Sequence, residues 1–100
     1  MIYLSRPFSY NDENFTVIGT LLIVHIPFSG TIVQNTSICP IPPEISKRMP
    51  YKAFIASYNR SLRNPIPSVQ LFVENNKIII ADKRTFKDGE FFGIVDLKDI

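Results

Sequence analysis

One cysteine, one histidine and no dense run of basic residues leave this chain short of most catalytic and metal-binding machinery. Cys39 has no second cysteine to pair with, so no internal disulfide can form. Flanked by Ile38 and Pro40, it reads as a small buried hydrophobe. One histidine and one cysteine cannot make a structural zinc site. Asp82, Asp88, Asp96 and Asp99 lack the alternate-position spacing of a calcium loop. His25 sits within an apolar run and has no G-x-S-x-G nucleophile motif to serve. Neither G-x-x-x-x-G-K-[ST] nor G-x-G-x-x-G occurs, so no phosphate cradle or dinucleotide cofactor is implied. The expected lists of catalytic residues, metal ligands and cofactors are empty, and the expectation is a protein that is not an enzyme.

Charge and length exclude more. The net charge is +2, with lysines and arginines scattered among acids; a nucleic-acid binder of this size ordinarily carries a denser basic stripe. Met1 to Leu4 is too short for the apolar part of a signal peptide, and Arg6 and Pro7 interrupt it. The longest apolar run, Val17 to Phe28, falls short of the roughly 20 residues of a spanning helix. No membrane insertion is expected. Alanine is rare and no helical period appears, which disfavours long helices.

What is present favours strands. Nearly half of the 100 residues are hydrophobic, and aromatic and β-branched side chains abound. That is one domain with one core. The expected fold class is all-β: a small antiparallel β-sandwich, jelly-roll-like, in a single domain. Residues 1–14 read as a short first strand (Ile2 to Leu4) and a loop (Arg6 to Asn14), and residues 15–100 as the sandwich. Phe15 to Pro27 reads as one strand, apolar on both parities, with Leu21 and Ile23 on one face and Leu22, Val24 and Ile26 on the other. Such a strand asks for burial on both faces, inside a sandwich or against another subunit. Ser29-Gly30 reads as a turn into a strand from Thr31 to Cys39. The proline-rich stretch Pro40 to Pro50 reads as an irregular crossover, with room for a single helical turn after Pro43. Tyr51 to Tyr58 reads as a strand, and Asn59 to Pro67 as a loop.

Two further hairpins are expected. A turn at Asn75-Asn76 sets Glu74 opposite Lys77, Val73 opposite Ile78, Phe72 opposite Ile79 and Leu71 opposite Ile80. A one-residue slip would scramble both faces. Asp88-Gly89 carries a strong type I′ turn signal, which would set Lys87 opposite Glu90 and Phe86 opposite Phe91.

Binding chemistry gathers at one place in the sequence. Tyr58, Asn59, Arg60 and Arg63 offer a ring, an amide and two guanidinium forks, the groups that hold hydroxyls or phosphates. These four are the expected ligand-binding residues. A plain polar loop with the tyrosine packed at its base is the competing reading.

The order of segments from Gly19 to Leu97 resembles the small jelly-roll domains at the ends of bacteriophage tail fibres and baseplate proteins. A long apolar strand (Gly19-Thr20-Leu21-Leu22-Ile23-Val24) comes first. The segment Ile41-Pro42-Pro43-Glu44-Ile45-Ser46-Lys47-Arg48-Met49-Pro50 stands where that family has Leu-Pro followed by Arg and Pro. A strand, a hairpin from Val69 to Ile80 and a last strand entered through a glycine turn follow. Asn75-Asn76 departs from the glycine usual at the hairpin turn, and Ile41-Pro42 from Leu-Pro. The resemblance implies a homotrimer in a virion, at the phage tail tip or baseplate. It implies attachment to a host cell-wall saccharide, or else a structural role docking another phage tail protein. It also implies that the chain is an excised C-terminal piece with an added start methionine.

Overall fold

The computed structural model describes residues 9–60 and 63–98, with Arg63 and Asn64 described by their backbone alone. The strand expected over Ile2 to Leu4 lies outside the described residues. In chain order the elements are β1 (Tyr10–Asn11), β2 (Phe15–Ile18), β3 (Leu21–Ile32), β4 (Ser37–Pro40), α1 (Pro43–Ser46), β5 (Ala53–Arg60), β6 (Arg63–Glu74), β7 (Lys77–Ile80) and β8 (Phe86–Asp96). Among the described residues the strands form one antiparallel sheet of eight, ordered β1-β2-β3-β8-β5-β6-β7-β4. The chain is thus a small all-β antiparallel domain, as its composition requires. The walls of the sandwich are the two halves of this one curled sheet, closed over a single core.

Alternation builds that core. Leu22, Val24 and Ile26 of β3, Val69 and Leu71 of β6, Ile78 and Ile80 of β7 and Phe91 of β8 point inward and are buried. Each fully buried side chain of this kind contributes roughly 1.5–3 kcal/mol. The expected single helical turn is α1, with Pro43 at its start and Glu44 in its first turn. Its Ile45, and Met49 just beyond it, are buried in the same core. The Asn75-Asn76 hairpin has the register read from sequence, Glu74↔Lys77, Val73↔Ile78, Phe72↔Ile79 and Leu71↔Ile80. Both asparagines take positive φ, 52° and 58°, which their short amide side chains tolerate. This turn also supports α1: Ser46 Oγ donates to Asn76 Oδ1 at 3.1 Å, and the Ile41 N–H donates to the Asn76 carbonyl at 2.9 Å.

Several expectations are corrected. Phe15 to Pro27 is not one strand: Gly19, at φ 63°, turns the chain so that β2 and β3 form a hairpin. Nor is β3 buried on both faces within the chain, since Leu21, Ile23 and His25 are only half-buried. The stretch from Arg6 to Asn14 is not all loop, because Tyr10–Asn11 pairs with β2. A turn then follows in which Asp12 Oδ1 accepts from the N–H groups of Asn14 and Phe15. Burial pushes the Asp12 carboxyl up, but these bonds and one from the Tyr10 hydroxyl outweigh it and hold the group below its ordinary value. The strand expected over Thr31 to Cys39 is broken at Asn35, at φ 69°, and its second part is β4, paired with β7.

The largest correction concerns the two glycine signals. Ser29-Gly30 and Asp88-Gly89 do not reverse the chain. They lie inside β3 and β8 and face each other there. Phe28 pairs with Gly89 and Thr31 with Lys87, so Ser29 and Gly30 together oppose the single Asp88. This is a β-bulge, closed by the Gly30 N–H donating to Asp88 Oδ1 at 2.6 Å. Lys87 therefore does not face Glu90, nor Phe86 face Phe91. The bulge reverses the inward parity of β8, and Phe86 and Phe91, five residues apart, both enter the core.

Candidate functional site

The four expected ligand-binding residues do not gather on a loop. Tyr58, Asn59 and Arg60 belong to β5, and Arg63 begins β6, paired with Arg60. Pro65 and Pro67 are strand residues as well, with irregular register absorbing them between Ala56 and Arg60. β7 pairs with β6 only from Leu71 onward, so this proline stretch has no ladder to supply on that side.

Tyr58 is a core residue, 5 % exposed. Its ring packs edge-on to Phe86 at 4.9 Å and against Phe91 and Phe28 at 5.6 and 6.0 Å. Its hydroxyl donates to the Lys87 carbonyl. Asn59 is half-buried on the opposite face and Arg60 is exposed. The side chain of Arg63 lies outside the described residues. Strand alternation, which places successive side chains on opposite faces, thus separates Tyr58 from Asn59.

Cys39 is buried, and its Sγ lies 3.2 Å from the Pro40 carbonyl. Burial, with smaller contributions from Asp12 and Glu13, pushes its thiol up to about 11. At neutral pH it stays a thiol, which is a poor nucleophile and a poor ligand. Among the described residues no group of three His, Cys, Asp or Glu is placed to hold a metal.

The outer face of the central strands is a better candidate. Register places its side chains in rows across β2, β3, β8 and β5. Ile18 pairs with Leu21, and Ile23 with Ile94. His25 pairs with Phe92, which pairs in turn with Ser57, and Pro27 pairs with Glu90, which pairs with Asn59. Ile18, Ile55, Phe92 and Ile94 are 64, 53, 41 and 56 % exposed. Leu21 and Ile23 fill the space between them, half-buried. A row of large apolar side chains on open sheet is unusual for a lone small domain. Its other end is polar: His25 Nε2 lies 2.7 Å from Glu90 Oε2, with Ser57 and Asn59 beside them. The face is therefore an apolar strip capped by a charged and hydrogen-bonding end.

Sequence reasoning set Leu21 and Ile23 together on one face of their strand and missed Ile18, Ile55, Phe92 and Ile94. The same signal was available there: Phe91 to Val95 is apolar on both parities around Gly93. No family model, curated protein or solved structure matches this chain.

Proposed function

We propose that this domain is a non-catalytic module of a bacteriophage tail tip or baseplate, and that it docks onto protein through the outer face of β2, β3, β8 and β5. The first partner is a further copy of itself, in a homotrimer. The observation that carries the docking reading is the row of exposed Ile18, Ile94 and Ile55 with half-buried Leu21 and Ile23 between them, on a sheet whose inner face already fills its own core. Burying such a row is favourable by about 25 cal/mol per Å², and its aliphatic side chains are as well matched to a second such row as to any partner. The virion setting rests on the order of segments alone.

Size exclusion with light scattering at micromolar concentration tests this. The expected result is a trimer that becomes a monomer in Ile94→Asp and Ile55→Asp, with the melting temperature of the isolated domain unchanged. A clean wild-type monomer sinks the self-docking reading.

The attachment reading has its own observation. Phe92 lies on the open sheet with His25 on one side and Ser57 on the other, and Asn59 and Glu90 one row on. An aromatic platform ringed by donors and acceptors suits a sugar ring. Loss of adsorption to host cell wall in Phe92→Ala supports a saccharide there. Loss in the double variant Arg60→Ala with Arg63→Ala, and not in Phe92→Ala, returns the site to the end of β5.

A further inference from the structure

We draw no further inference here: the strongest candidate, the cationic surface patch of Lys47, Arg48, Lys52 and Lys98 beside exposed Tyr51 at the end of α1, carries nothing, because Lys52 Nζ and Arg48 Nε already donate to the Ser46 and Glu44 carbonyls of the helix and nothing in the structure points to a ligand there.

Discussion

The β6–β7 turn and the bulge between β3 and β8 begin from the same local chemistry and end as opposite structures. At Asn75-Asn76, two residues at positive φ reverse the chain and set a four-pair ladder. At Gly30 and Asp88, φ is positive as well, at 89° and 44°. There the chain runs straight on, and the two irregularities meet across β3 and β8. A turn dipeptide thus encodes a left-handed backbone position and not the reversal itself. The flanking side chains decided the first case, because Glu74 met Lys77 and both apolar faces matched at once. In the second case, reversal at Asp88-Gly89 would have paired β8 with itself. It would have forfeited the long ladder from Leu21↔Asp96 to Ile32↔Phe86.

The comparison is sharpened most by what lies under the bulge. Tyr58→Ala empties a place among Phe28, Phe86 and Phe91 and is expected to cost about 4 kcal/mol in urea denaturation. A loss below about 1 kcal/mol, the range of exposed strand positions, would return Tyr58 to the list of ligand residues. Gly89→Ala comes next. A Cβ there would overlap the Asn59 carbonyl and press on the Tyr58 ring, so β5 must move, at about 3 kcal/mol. Wild-type stability in this variant would mean that β5 and β8 do not approach as described.

The two sites themselves are compared by alanine. Asp88→Ala gives up both a tolerated left-handed position and the bond to the Gly30 N–H, about 2 kcal/mol together. Asn75→Ala gives up the first alone, about 1 kcal/mol. Equal losses would mean that the bulge bond contributes nothing. The smallest expected effect is that of Arg60→Ala, exposed at the end of β5, at less than about 0.5 kcal/mol. A larger loss would show that the end of β5 is held by a contact that its exposure conceals.

The all-β class, the lone buried Cys39, the single helical turn after Pro43 and the Asn75-Asn76 register are all legible in the sequence. Each depends on neighbours within a few residues, where composition, proline placement and cross-strand matching act directly. The candidate site is legible only in part. Leu21 to Ile26 announces surplus apolar surface, but nothing local says that Ile94 and Ile55 lie alongside it, or that Glu90 comes to His25 from 65 positions away. The loop expected at these residues is strand for the same reason: Tyr58 is polar at one end in any sequence, and only the packing of Phe28, Phe86 and Phe91 makes it core. Sequence by itself determined the left-handed positions at Asn75, Asn76, Gly30 and Asp88, though not those at Gly19 and Asn35, and which side chains are most apolar. The tertiary structure alone decided which strands meet, because pairing between distant segments is settled by the fit of whole faces, with β3 and β8 matching each other over more residues than either could match beside its own turn.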